Sequence, residues 1–361
     1  MSDAETPRST PPGWDERWAE QWDAIDRGDL VPVRVTRIDK GGITATLRPG
    51  DDRMVVAAKS ARRVVVGDVC GLDADAGRIE VILDRRTVFE RRSPGVARDQ
   101  MQLRSRAVAA NMDLVYVLQP LEPAVNTGRL ARELVLAWES GAAPVVVLTK
   151  ADLVDEAHRE RQRAEAQRWA PGVPVCCVSL KADGGLAELD DVRGSGSVIA
   201  LLGASGAGKS TLVNALAGRP VQLTAEVRDS DRRGRHTTTA GQIVALADGG
   251  LLIDTPGIRG VGLWSSDLGI ERAFDDLTDF VQQCRFDDCT HTTEPGCGLV
   301  AAVEAGHIDA DRVEAWRTLV EELDELEDHL ETREREQRRQ HNQRSRRRAQ
   351  RRDEYGADDP D

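Results

Sequence analysis

Apolar and polar positions alternate from Leu30 to Arg91: Val31, Val33 and Val35 are spaced for one face of a strand, Val64 to Val66 form a further run, and turns fall at Gly41-Gly42, Gly50-Asp51-Asp52 and Gly67-Asp68. Short strands separated by such turns predict a small β-barrel. Downstream the period changes. Continuous apolar runs from Leu114 to Leu118, Pro144 to Leu148, Val173 to Val178 and Val198 to Leu202 read as buried strands, and helical patterns from Arg129 to Glu139 and Thr211 to Ala217 fall between or after them. That alternation predicts βαβ units of a mostly parallel sheet. Trp316, Leu319, Val320, Leu323, Leu326 and Leu330 recur at helical spacing, and Trp14, Trp18 and Trp22 form an i, i+4, i+8 stripe near the start. Packing of the Trp stripe against the barrel is expected over a free partner-binding helix.

The run from Val198 to Leu202 leads into Gly203-Ala204-Ser205-Gly206-Ala207-Gly208-Lys209-Ser210, which fits G-x-x-x-x-G-K-S/T, and then into Thr211 and a helix. The glycines let backbone N–H groups converge on phosphate oxygens at a helix N-terminus. Lys209 is expected to reach the β- and γ-phosphates and Ser210 to ligate Mg²⁺. Base choice comes from an earlier segment, Thr149-Lys150-Ala151-Asp152, at the end of a predicted strand. The Asp152 carboxylate can accept two hydrogen bonds from guanine N1–H and the exocyclic amine, whereas adenine offers an acceptor at N1. Lys150 would lay its stem along the base. Thr149 stands where many GTPases have Asn and has one donor with which to brace the phosphate loop. Ser179-Leu180-Lys181 closes the next strand, in the place of a base-backing loop. The base motif precedes the phosphate loop, the reverse of the usual GTPase order, so the chain is circularly permuted.

Two segments after the phosphate loop supply switches: His236-Thr237-Thr238-Thr239, and Asp254-Thr255-Pro256-Gly257 at the end of a further apolar run. Thr238 could complete the Mg²⁺ shell, Asp254 hold a metal-bound water, and the Gly257 amide meet the γ-phosphate. Ile258 occupies the position of a water-orienting Gln, which predicts slow hydrolysis by the isolated protein. His236 is either the group that orients water once a partner orders the loop or a solvated switch histidine. Further on, Cys284, Cys289, His291 and Cys297 make a tetrahedral set for structural zinc with no open position. Disulfides would leave one of these three cysteines over. Cys70, Cys176 and Cys177 lie in apolar runs and read as buried thiols.

The permuted order, Gly234-Arg235-His236-Thr237-Thr238-Thr239, Asp254-Thr255-Pro256-Gly257-Ile258-Arg259 and the spaced Cys-Cys-His-Cys set resemble the ribosome small-subunit-dependent GTPase A family over roughly residues 30 to 320. The resemblance implies an N-terminal OB-fold, a central circularly permuted Ras-like GTPase and a C-terminal helical zinc domain. It also implies hydrolysis of GTP to GDP during late assembly of the small ribosomal subunit, stimulated by that subunit and its rRNA. Gly260-Val261 depart from the acidic residue and Leu that family members often carry after Gly-Ile-Arg. The expected layout is a flexible N-terminus with a Trp-rich helix (1–29), an OB-fold (30–95), the GTPase (96–270), the zinc domain (271–332) and an Arg-rich tail (333–361).

Composition adds one constraint. The 361-residue chain carries a net charge of −13, yet residues 333 to 352 hold ten arginines and two glutamates, +8, which leaves −21 on the rest. A long-range attraction of the whole molecule to rRNA is thereby excluded, and the tail is either an RNA arm or a solvated extension. The first dozen residues, rich in Ser, Thr and Pro, are expected to be disordered. No secretory signal or membrane-length apolar run is found, so a cytoplasmic location is expected; nothing in the sequence requires a dimer, and a monomer is expected. Two other readings stay open: a permuted GTPase of the large subunit or another RNA, and a zinc-stapled RNA-binding adaptor that rarely hydrolyses GTP.

Overall fold

This computed structural model describes residues 10–25, 28–92, 105–180, 185–221, 241–254 and 267–325, with 328, 332 and 335. The alternating region forms β1 (Val31–Asp39), β2 (Gly42–Thr46), β3 (Asp52–Ala57), β4 (Val69–Asp73) and β5 (Arg78–Ile82). They pair in the order β1–β2–β3–β5–β4 and close through β4–β1, a five-stranded OB-like barrel. Val33, Val35, Ala45, Val55, Cys70, Leu72 and Ile79 fill it, one face of each strand. Gly67, at φ 96°, joins the barrel to the next domain. A side chain there would collide with the Ala110 carbonyl, so only glycine fits.

The Trp stripe lies on α1 (Glu16–Ala24), where Trp18 and Trp22 pack on Val69 and Leu83 of the barrel unit. Asp15 caps the helix, accepting from the Trp18 amide at 3.0 Å, and also accepts two 2.6 Å bonds from Arg86, whose guanidinium lies 3.9 Å above the Trp18 ring. Hydrogen bonding from Arg86 holds the Asp15 carboxyl below the usual range. Arg34, buried, donates to the Gly13 carbonyl at 3.1 Å, and burial pushes its guanidinium down to about 10. The segment before α1 is thus strapped to the barrel. Residues 1–9 and the Arg-rich tail, apart from Arg335, lie outside the described residues.

A hairpin, β6 (Val88–Arg92) with β7 (Ser105–Ala110), leads from the barrel to the second domain. The boundary expected at 95/96 falls between these two strands. There β8 (Leu114–Pro120), β9 (Ala143–Thr149), β10 (Val175–Cys177), β11 (Val198–Gly203), β12 (Gly241–Ala245) and β13 (Leu251–Asp254) form a sheet in the order β10-β9-β8-β11-β13-β12, parallel except for β12. The chain enters at β8, runs outward to β10, and returns to β11 beside β8. The strand order therefore reverses between β8 and β11, the kind of switch point at whose carboxyl ends open α/β sheets form a ligand crevice. Helices α2 (Thr127–Glu139) and α3 (Glu156–Trp169) cover one face. On the other, Leu189 of α4 (Ala187–Val192) and Leu212, Val213 and Leu216 of α5 (Lys209–Ala217) pack against Tyr116, Leu118, Val145 and Val147.

The barrel and the sheet are continuous. Strand β1 pairs antiparallel with β12 through Arg37–Gln242 and Ile38–Gly241, giving eleven strands in one hydrogen-bonded series.

C-terminal helices α6 (Asp267–Ala273), α7 (Asp275–Val281), α8 (Gly298–Glu304) and α9 (310–325) follow. The boundary expected at 270/271 lies inside α6, where no Gly or Pro breaks the helix after Gly269. Ile270, Phe274, Leu277, Leu299, Leu319 and Leu323 share one core with Leu130 and Leu134 of α2. Arg312 keys this contact: it is 4 % exposed, bonds both oxygens of Asp276 at 2.6 and 2.8 Å, and donates to the Trp169 carbonyl at 3.0 Å and the Ala273 carbonyl at 2.9 Å. A nucleotide-driven displacement of this unit would have to pull the buried Arg312 away from Asp276 and from both carbonyls.

Candidate nucleotide site and metal centre

The phosphate loop is the turn from β11 into α5. Gly206 and Gly208 adopt φ of 81° and 88°, left-handed values that glycine takes without steric cost, and Gly203 has φ 143°. Together they turn the chain so that the N-terminus of α5, at Lys209 and Ser210, lies at the carboxyl end of β11. Lys209 Nζ donates to the Gly203 carbonyl at 2.7 Å and also to that of Ala204, so the ammonium is folded over the loop it serves.

The base motif reaches the same place from β9. Thr149, fully buried, donates its hydroxyl to the Ala207 carbonyl at 2.9 Å. One donor is thus enough to brace the phosphate loop in the position where Asn is more usual. Lys150 takes a left-handed conformation, φ 63° and ψ 34°, and turns the chain into a 3-10 segment, Ala151–Leu153, that exposes Asp152. The Ala151 amide bonds the Val178 carbonyl at 3.2 Å, tying this motif to the segment that carries Ser179. The Ser179 hydroxyl is buried and has no hydrogen-bond partner among the described residues, as suits a group that a base would meet. Asp254 closes β13, adjacent to β11 and opposite Gln242. Lys209, Ser210, Thr149, Lys150, Asp152, Ser179 and Asp254 therefore gather at the carboxyl ends of neighbouring strands. His236, Thr238 and Gly257 lie outside the described residues, as does Lys181.

Sequence reasoning missed a pair beside this crevice. Gln119, at the end of β8 and 1 % exposed, donates Nε2 to Oε2 of Glu133 on α2 at 2.8 Å. Burial pushes the Glu133 carboxyl up to about 7, against the pull of Arg129, Lys209 and the Gln119 hydrogen bond. No local pattern marks either residue, since Glu133 reads as an ordinary polar position of an amphipathic helix.

The four predicted metal ligands converge between α7, α8 and α9. Their donor atoms all lie within 4.8 Å of one another. The Cys284 and Cys297 sulfurs are 3.9 Å apart, and His291 Nδ1 is 3.4 Å from Cys284 and 3.6 Å from Cys297. Zinc–sulfur bonds of about 2.3 Å make tetrahedral edges of about 3.8 Å, so the spacing fits a single ion. Burial lowers the His291 imidazole, favouring the neutral form that ligation needs. Gly298 donates its amide to Cys284 sulfur at 3.3 Å, and the Trp316 ring packs 5.3 Å from His291, so α8 and α9 hold the ligand loop. Glu294 accepts from the amides of Thr290, Thr292 and Thr293 at 3.0, 2.9 and 3.1 Å. With the Thr290 hydroxyl bond first among the causes, its carboxyl is held far below the usual range.

A permuted Ras-like sheet, a phosphate loop braced by a base motif from the other half of the chain, and a flanking OB-like barrel define a circularly permuted GTPase. The profile of the RsgA GTPase family matches residues 82–264, and one described as 50S ribosome-binding GTPase matches residues 198–335. The small ribosomal subunit biogenesis GTPase RsgA of Streptomyces avermitilis is 41 % identical over 319 residues, 86 % of this chain and 85 % of that one. The crystal structure of YjeQ from Thermotoga maritima superposes with a TM-score of 0.61 at 25 % identity, covering 81 % of this chain and 98 % of that one. YloQ, titled a circularly permuted GTPase, gives 0.57 at 22 % identity, with 84 % and 97 % covered. This chain belongs to the RsgA GTPase family.

Proposed function

We propose that this GTPase acts in assembly of the small ribosomal subunit, engaging the subunit and its rRNA and hydrolysing GTP to GDP when bound there. The observation that carries this reading is similarity along most of the chain to relatives named for small ribosomal subunit biogenesis. The 50S profile begins at residue 198, where the permuted chain resumes the ordinary motif order, so it follows that order and not the choice of subunit. Basal and stimulated turnover, with small and with large subunits, tests the reading. Stimulation by small subunits alone is expected; stimulation by large subunits alone would overturn it, and none by either would favour the adaptor.

In this reading Asp152 selects guanine, Lys150 lines the base and Ser179 backs it. The amides from Gly203 to Thr211 and the Lys209 ammonium bind phosphate. Ser210 and Thr238 would hold Mg²⁺, with Asp254 bonding one of its waters; the ion, when bound, offsets charge on the β- and γ-phosphates. The Gly257 amide would sense the γ-phosphate, and His236 orient the attacking water once the subunit orders its segment. Ile258 cannot perform that task, which predicts a low basal rate. Cys284, Cys289, His291 and Cys297 would bind one structural zinc, and the arginines from 333 to 352 would meet rRNA phosphates. The domain layout of the family, the monomeric state and action in the cytoplasm belong to the same proposal; among the described residues no helix is long and apolar enough to cross a membrane.

Thr149→Val tests the loop brace. It leaves the Ala207 carbonyl without its buried donor, a loss of about 1–2 kcal/mol, so GDP should bind roughly 5- to 30-fold more weakly by fluorescent-nucleotide titration. Unchanged affinity would show that the bond does not set the loop.

A further inference from the structure

One ionisable group beside the nucleotide site has no part in the roles above. Glu133 accepts from the buried Gln119, and the ladder registers fix where that pair sits. Leu118 is opposite Gly203, the first residue of the phosphate loop, and Pro120 is opposite Thr149, the first residue of the base motif. Gln119 lies between the two strand ends that build the site. Among the described residues two cations act on the Glu133 carboxylate: exposed Arg129, one turn earlier on α2, and Lys209 at the start of α5.

We propose that Glu133 is a positioning residue for Lys209: a counter-charge that restrains the ammonium before nucleotide binds and takes up a proton when the phosphates draw it away. This rests on Lys209 being a phosphate ligand. The sign follows from charge alone. Phosphate anions repel the carboxylate, and Lys209, once turned to them, compensates it less; both changes raise its proton affinity. By linkage, protonation of Glu133 must tighten nucleotide binding. The carboxyl is already raised by burial to about 7, so the exchange falls in the physiological range. A further rise of about one unit gives uptake of about 0.4 proton per nucleotide at pH 7. It also makes binding about fivefold weaker at pH 8 than at pH 6.

Calorimetric titration of GDP into the full chain, in buffers of different ionisation enthalpy, reads this directly. Glu133→Gln keeps an acceptor for Gln119 and should remove both the 0.4 proton and the fivefold pH dependence relative to wild type; titration of GDP itself cancels in that comparison. Arg129→Gln removes an exposed cation that lowers the carboxyl, so the midpoint of the pH dependence should move to higher pH. This arm decides the matter if Glu133→Gln does not fold. Equal proton uptake and parallel pH profiles in wild type and Glu133→Gln, or an unmoved midpoint in Arg129→Gln, would overturn the proposal. Lys209→Ala separates the two readings. Unchanged GDP affinity in that variant removes the role of Lys209 and this inference with it, whereas lost affinity beside an unaltered Glu133→Gln profile removes this inference alone.

Discussion

Lys209→Met should lower GTP turnover by about a thousandfold while leaving the fold intact. In the proposed function the ammonium is the charge that meets the phosphates. It rests on the Gly203 and Ala204 carbonyls and can exchange them for phosphate oxygens without moving the backbone. Two charge-assisted hydrogen bonds, each worth about 1.5–3 kcal/mol, correspond to roughly 10²- to 10⁴-fold, and part of this appears only as charge develops on the transferred group. Methionine keeps the length of the stem, and the two carbonyls it abandons lie in a partly open loop, so the melting temperature should change little. Subunit-stimulated kcat/KM within threefold of wild type would show that another group carries the phosphate charge.

Loss of the zinc proposed for the Cys-Cys-His-Cys cluster should be felt as strongly, but in stability. Cys297 is the most buried of the four proposed ligands and stands at the N-cap position of α8, where its side chain makes no capping hydrogen bond. Cys297→Ser leaves a residue type that caps helices well, so the effect of the variant reports on the ion and not on the helix end. Bound zinc should fall from one per chain to below about 0.2, with roughly 3–5 kcal/mol lost from the C-terminal unit. That is less than the 10–16 kcal/mol typical of isolated zinc fingers, because α6 to α9 already share a core with α2. Zinc content and thermal melts with and without a chelator measure both quantities. A wild-type chain that holds less than 0.1 zinc per molecule when zinc is supplied, and melts identically with chelator, would remove the metal from the account.

The parts of this architecture that could be read from the chain are those encoded by neighbours in sequence. Strands β8, β9 and β11 stand out because both faces are buried and their apolar runs are unbroken; the phosphate loop and the cysteine cluster stand out because their chemistry demands fixed spacing. Arg312 was illegible: an arginine in a helix resembles a surface residue until Trp169, some 140 positions earlier, supplies a carbonyl. The same holds for Arg34 and Arg86 at the N-terminal strap, for Glu133, and for the pairing of β1 with β12, where neither Arg37 nor Gln242 carries a mark of its partner. Thr149 lies between these cases. Its place in the base motif was plain, but whether one hydroxyl could reach the loop depended on the approach of β9 to Ala207. His236, Thr238 and Gly257 stand on sequence alone.

The pairing of β1 with β12 bears on which strand edges the molecule leaves open. In a lone GTPase sheet of this order β12 would end the series, offering a row of unpaired amides and carbonyls directly after the segment that carries His236. Here the barrel strand occupies part of that margin, and the barrel, closed on itself, presents no comparable margin of its own. The N-terminal unit thus acts as an edge guard. A GTPase domain freed of it would carry a ready template for strand addition beside its own switch, so barrel and GTPase are bound to each other by the need to keep that edge covered.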